Sequence, residues 1–343
     1  MVMKKIAVVA MIGGLLQPVS AIEARPTSLE KPLKIARQGS FFIGGRDVSS
    51  AALGEIKPYP SSGQIVVDQI YVRFQIPDGK TRSPILLIHG CCLTGAAWET
   101  TPDGRSGWDE LFVRMRHPVY VMDQAWRGRS AFDPTIINEV REGRAPVNAL
   151  PVVTSASKEA AWEIFRLGPR YPIAHPGLKY PVAALSALWA QMVPNVAPSL
   201  DARSPTVEAI SALSQREKGL VVVSHSQSGI YPFLATKAGA KEISAIIAIE
   251  PASCPAVGQF PDRSAQPRIL VVFGDYIAQS ERWLPRLEAC RKFVDSAKAA
   301  GLDAVLVELP KVGVFGNSHM MMQDTNSAQV ATIIDDWLAA RHL

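Results

Sequence analysis

Cysteine is scarce in this chain. There are four in 343 residues, and no two form a C-x-x-C pair. The six histidines do not cluster at metal-ligand spacing either. No structural zinc or other metal is therefore expected, and no motif demands a cofactor. After the N-terminus no apolar stretch approaches the roughly 20 residues needed to cross a bilayer core, which excludes stable membrane insertion. There is no run of Lys and Arg and no basic face with interleaved aromatics. The formal net charge of +5 thus does not imply a nucleic-acid partner. No internal repeat is present. What remains is ordinary globular composition, 48% hydrophobic and 20% charged, in a chain long enough to bury a sizeable core.

The first residues point to export. Lys4-Lys5 precede an apolar stretch from Ile6 to Leu16, followed by Pro18 and the small-residue pattern Val19-Ser20-Ala21. This is the layout of a signal peptide spanning 1–21, cut after Ala21 with Ala24 as second choice, and it predicts a periplasmic or secreted protein. The stretch is too short to serve as a membrane anchor. Export permits disulfides and favours pairing Cys254 with Cys290; two buried thiols are the alternative, since sequence does not establish connectivity.

Residues 22–343 read as a single domain. Gly39–Gly45 suggests a short strand, and Ile65–Ile76 a partly buried antiparallel one. Then come short, continuously apolar runs: Pro84–Ile88, Val119–Met122, Leu220–Val223, Ile243–Ile249, Ile269–Phe273 and Ala304–Leu309. Runs without alternation are what a parallel sheet covered on both faces requires. Helical stretches lie between several of them, at Asp109–Arg116, Val207–Lys218, Gly229–Ala240 and Arg286–Ala300, and Gln329–Arg341 closes the chain. The alternation predicts a mostly parallel, doubly wound α/β sheet. One proline-rich segment, about 131–205, interrupts it with short helical pieces near Lys158–Phe165 and Val182–Gln191. It is far longer than a crossover needs and reads as an insertion capping the strand ends, where such sheets bind ligands.

Leu220–Val223 runs into Ser224-His225-Ser226-Gln227-Ser228-Gly229, an apolar strand, a tight polar turn and a helix. That is the context of a nucleophile elbow, with Ser224 and Ser228 where glycine is usual. A helix-capping serine turn is the plain alternative. A nucleophilic serine needs an oriented base. Gly316-Asn317-Ser318-His319 follows the last strand, where an α/β-hydrolase carries its histidine. His225 lies inside the elbow and reads as structural, and His342 as a surface residue. Two acids compete: Asp275 ends the strand where most such folds carry it, and Glu250 ends the strand before. Spacing leaves them nearly even. The oxyanion donors are expected on the N–H of Gln227, after the nucleophile, and of Cys91, in the loop His89-Gly90-Cys91-Cys92. Asp123 followed by Arg127-Gly128-Arg129-Ser130 is a further hydrolase-like turn. Trp98, Trp126, Phe165 and Trp189 are pocket candidates, each equally readable as core.

His-Gly-Cys-Cys, Ser-His-Ser-Gln-Ser-Gly, a glutamate 24 residues after the serine, and Gly-Asn-Ser-His-Met together resemble the esterase 713-like family of bacterial α/β-hydrolases. The resemblance runs from about Gly39 to the C-terminus. It implies an α/β-hydrolase fold with Ser226 as nucleophile, His319 as base and Glu250 as acid, so favouring Glu250 over Asp275. It also implies Cys91 and Gln227 as oxyanion donors, a Cys91–Cys92 disulfide at that hole, and a homodimer. The expected activity is cleavage of a small-molecule carboxylic ester through an acyl-enzyme on Ser226. Lactone or amide cleavage and acyl transfer use the same triad. An inactive hydrolase fold serving as a binding module is the reading from another class.

Overall fold

The computed structural model describes residues 31–196, 203–259 and 266–343; the expected signal peptide and both candidate cleavage points lie outside the described residues. The chain opens with β1 (Ile35–Ser50) and β2 (Gly63–Pro77), which pair antiparallel along their whole length. β1 is longer than the strand expected over 39–45. Most of its residues are exposed, so no apolar run marks it, and pairing with β2 defines it instead. Next come β3 (Ile85–Ile88), α1 (Trp108–Arg114) and β4 (Val119–Met122). The long segment that follows carries α2 (Thr135–Arg141), β5 (Val153–Thr154), α3 (Lys158–Ile164), α4 (Leu185–Gln191) and β6 (Asn195–Val196), with β5 and β6 forming a separate ribbon. Then the alternation resumes: α5 (Pro205–Arg216), β7 (Leu220–His225), α6 (Tyr231–Lys237), β8 (Ile243–Ile249), β9 (Arg268–Phe273), α7 (Leu284–Ala299), β10 (Ala304–Glu308) and α8 (Ser327–Ala339).

The main sheet has eight strands in the order β1-β2-β4-β3-β7-β8-β9-β10. From β4 to β10 every pairing is parallel; β1 and β2 extend the sheet antiparallel. This is the architecture of an α/β-hydrolase. Because strand side chains alternate between faces, each buried run feeds two cores. Leu220 and Val222 of β7 pack with α5, α6 and α7 through residues such as Ile210, Phe233 and Phe293. Val221 and Val223 pack with α1 and α8 through Phe112, Ile334 and Leu338, and on this side Trp162 and Leu188 of the long segment join the core. Both faces are covered, which is why the strands read as unbroken apolar runs. Among the described residues no helix is long and apolar enough to cross a membrane.

The loops at the carboxyl ends of β3, β7, β8 and β10 converge, and chemistry in open α/β sheets collects there. Cys254, in the loop after β8, is bonded to Cys290 on α7, a sequence separation of 36. Closing a loop of that size restricts the unfolded chain by about 3–4 kcal/mol in the chain-entropy account. The double variant C254A/C290A is therefore expected to unfold at lower temperature or denaturant, measured by circular dichroism, and an unchanged midpoint would contradict a stabilising role.

Candidate active site

Ser226 is the first residue after β7 and has φ 56°, a left-handed conformation that costs a non-glycine residue energy and that surrounding packing must enforce. A short 3-10 turn, Ser226–Ile230, then leads into α6, which begins at Tyr231 rather than at the Gly229 expected from the sequence. Ser228 accounts for the missing glycine of the elbow pattern. Its hydroxyl accepts from the His225 N–H at 3.0 Å and contacts the Ile88 carbonyl at 3.0 Å, tying the turn to the end of β3. Gly90 allows the β3 loop to approach: a Cβ there would stand 2.8 Å from the Ser226 Cβ. Gly229 does the same for the loop after β8, since its Cβ would meet Pro251 at 2.5 Å.

His319 is fully buried, and its Nδ1 lies 3.2 Å from Oε2 of Glu250. A carboxylate only accepts, so Nδ1 carries the proton and Nε2 presents its lone pair; Nε2 is buried and has no hydrogen-bond partner among the described residues. Burial lowers the His319 pKa to about 4 against the opposing pull of Glu250, so the ring is neutral at rest. Desolvation raises Glu250, yet Arg166 and His319 outweigh it and hold its pKa at about 2. The two acids open from spacing alone part here. Glu250 faces His319, whereas Asp275 accepts from the backbone N–H groups of Tyr276 and Gly316 at 2.7 and 2.9 Å. His225 is neutral too, its pKa pushed down by burial and by His319. Its Nε2 lies 3.0 Å from the His319 carbonyl, so it donates there and fastens the His319 backbone to the end of β7.

Sequence reasoning missed Arg166. It follows α3 in the long segment, is 2% exposed, and grips Glu250 with its two Nη atoms at 2.7 and 2.5 Å. Gly274 N–H donates to the same carboxylate at 2.5 Å. The neighbours of Arg166 hold the site as well: Phe165 O accepts from His319 N at 2.9 Å, and Ile164 O from Trp283 Nε1 at 2.8 Å. Trp283 lies against the His319 ring, centroids 4.1 Å apart. The only sequence sign of this was an arginine embedded between apolar residues, in Ile164-Phe165-Arg166-Leu167. Of the pocket candidates, Phe165 stacks on His319 and Trp98 meets His225 edge-on, both buried, while Trp126 donates to Asp68.

Cys91 follows Gly90, and Gln227 lies in the first turn beyond Ser226, where helical N–H groups have no acceptor within the helix. Cys92 has φ 60°, and its carbonyl accepts from Val193 of the long segment at 3.0 Å. The resemblance implies a Cys91–Cys92 disulfide; the structure carries two thiols with Sγ atoms 2.7 Å apart. Among the described residues no three His, Cys, Asp or Glu side chains are grouped to hold a metal ion.

The chain is similar to a bacterial esterase whose structure was solved at atomic resolution: 50% identity, TM-score 0.88, covering 92% of this chain and 98% of that one. It is also similar to a probable secreted lipase, phiG, of a fungal species (strain ATCC 74256), at 28% identity over 316 residues, 78% of this chain and 85% of the lipase. No protein-family model matches.

R166M would leave the Glu250 carboxylate buried without its cation, an arrangement that costs about 3–5 kcal/mol. The expected outcome is a clearly lowered unfolding midpoint. Arg166 also helps to depress the His319 pKa, so its loss should raise that pKa. With His319 as general base, the role proposed below, ester cleavage requires the neutral ring and fails as pH falls through the pKa. The acid limb of kcat/KM, expected near pH 4 in the native enzyme, should therefore move to higher pH in R166M.

Proposed function

This chain belongs to the esterase 713-like family of bacterial α/β-hydrolases and is a carboxylic-ester hydrolase; from that premise we propose that it works through a Ser226–His319–Glu250 triad and an acyl-enzyme. Ser226 Oγ attacks the ester carbonyl while His319 Nε2 takes its proton. The N–H groups of Cys91 and Gln227 receive the negative charge that develops on the carbonyl oxygen. Collapse of the tetrahedral intermediate expels the alcohol, to which His319 returns the proton, and water then releases the acid by the same steps in reverse. The observation that carries this reading is the state of His319: neutral, with Nδ1 on Glu250 and Nε2 bare. The Ser226–His319 hydrogen bond is not made in the structure, and such bonds often tighten only with substrate bound.

The same proposal includes export by a signal peptide over 1–21. The Cys254–Cys290 disulfide and the similarity to a protein named a secreted lipase support it. The segment about 131–205 is proposed as a cap that supports the triad, in one domain with the sheet. A homodimer, implied by the family resemblance, is proposed for the solution state. The Cys91–Cys92 disulfide, also implied by the resemblance, is proposed for the exported enzyme. The 2.7 Å approach of the two sulfurs is compatible with its closure.

S226A and H319A are each expected to abolish turnover, because nucleophile and base act as one unit, and a fluorophosphonate probe should label the wild type but not S226A. Near-native turnover by either variant would remove the triad. E250Q should lower kcat far more than D275N; the reverse order would reassign the acid. A mild reductant should lower turnover and leave the fold intact, and C91A/C92A should behave like the reduced enzyme. Full activity of that variant would refute a role for the disulfide.

A further inference from the structure

Arg127 is the second buried arginine of the site, only 2% exposed, and it differs from Arg166 in having no carboxylate. Among the described residues it makes no salt bridge. Asp123, the nearest acid in sequence, is committed to Gly95 N–H at 2.7 Å and to the backbone N–H and Nε of Arg129 at 3.0 and 2.9 Å. A buried cation without a counter-charge is expensive and calls for a use. Its contacts show one. Nη1 donates to the Gly90 carbonyl at 3.1 Å and Nη2 to Oε1 of Gln227 at 2.7 Å. These are the two segments that supply the oxyanion donors.

The Gly90 carbonyl and the Cys91 N–H belong to one planar trans peptide and point in opposite directions. A guanidinium pulling on that oxygen fixes where the N–H aims and polarises it as a donor. A second group pulls the same way. Nε2 of His89 must accept, because Gln124 N–H donates to it at 3.0 Å, so Nδ1 carries the proton and donates to Gly90 O at 2.8 Å. On the other side, holding the Gln227 side chain steadies the residue whose N–H is the second donor. The planar fork spans both acceptors at once, which a lysine ammonium cannot do in the same geometry.

We propose that Arg127 is the positioning residue of the oxyanion hole: it clamps the Gly90–Cys91 peptide and Gln227 in their donating orientation, and its unpaired charge stabilises the developing oxyanion. This rests on the serine-hydrolase reading above. The contribution belongs to the transition state, so it appears in kcat and not in substrate binding.

The test compares wild type, R127M and R127K in ester hydrolysis and in binding a trifluoromethyl ketone, which forms a tetrahedral adduct with an active serine. R127M is expected to lose about 100-fold in kcat, as when one oxyanion donor is removed, with KM within about threefold. R127K, which keeps the charge and most of the volume, should lose about tenfold and so rescue part of the deficit. Affinity for the ketone should fall in step with kcat/KM in both variants. A folded R127M within threefold of wild type overturns the proposal. So does lost activity with undiminished ketone affinity, which would mark a merely structural residue. If R127M does not fold, R127K decides alone: wild-type kcat and ketone affinity overturn the clamp, and a matched loss in both supports it. A wild-type enzyme that neither hydrolyses esters nor binds the ketone overturns the serine-hydrolase reading, and this inference with it.

Discussion

The carboxylate of Glu250 is the point on which the site rests. It sits fully buried at the end of a central strand, where an unpaired charge would be very costly, and it is kept ionised by the bidentate grip of Arg166 and one backbone N–H. Everything about His319 follows from that anion: which nitrogen holds the proton, which presents a lone pair, and what will stabilise the ring once it becomes charged. The burial that makes the pair costly also makes it rigid, since any rotation of the carboxylate would break several charge-assisted bonds at once. A glutamate at the end of β8, the strand beside β7, reaches His319 with one methylene more than an aspartate would have.

Holding these groups demands backbone strain, and the strain is concentrated. Cys92, Trp126, Arg166, Ser226, Glu250 and Tyr276 all have positive φ without being glycine. Such residues cost of order 1–3 kcal/mol each and persist only where packing over-determines them. The parallel sheet provides half of that packing. The segment between β4 and α5 provides the other half, through Phe165 and Arg166 behind His319 and Glu250 and Val193 on the Cys92 carbonyl. The segment, expected from its length to cap the strand ends, packs directly against Glu250 and His319.

This division explains what could be read from the sequence. The strands β3, β4, β7, β8 and β9 were legible because burial on both faces leaves no alternative to continuous apolar runs, and the helices between them were placed to within a few residues, as with Asp109–Arg116 against Trp108–Arg114. The turn at Ser226 and the loop at His319 were legible because a strained strand-to-helix turn and a post-strand loop have local signatures. β1 was only partly legible, since an exposed edge strand is defined by its partner. Arg166 left only the faint sign of a charge among apolar residues: its partner lies 84 residues away, and pairing over that distance leaves no periodicity or spacing to detect. The choice between Glu250 and Asp275 was undecidable from spacing for the same reason, because the side-chain directions that separate them are set by tertiary packing.

The two buried arginines give the site a fixed polarity. In the proposed mechanism, attack on an ester separates charge: the imidazole of His319 becomes cationic while the carbonyl oxygen becomes anionic. On the imidazole side the resting protein already holds an anion, Glu250, at 3.2 Å. Arg166 lowers the charge of that corner without removing the carboxylate's direct contact with the ring. On the oxyanion side it holds an unpaired cation, Arg127, two atoms of which bind the donor-bearing segments. His89, with its pKa lowered to about 3 by burial and by Arg127, stays neutral and adds a dipole without a competing charge. Oriented charges in a low-dielectric site need no reorganisation when the transition state forms, whereas water would have to turn to meet it. Under that proposal the cost of burying Arg127 unpaired falls on the resting state and is relieved as the oxyanion appears, which makes the same interaction weak for the substrate and strong for the transition state.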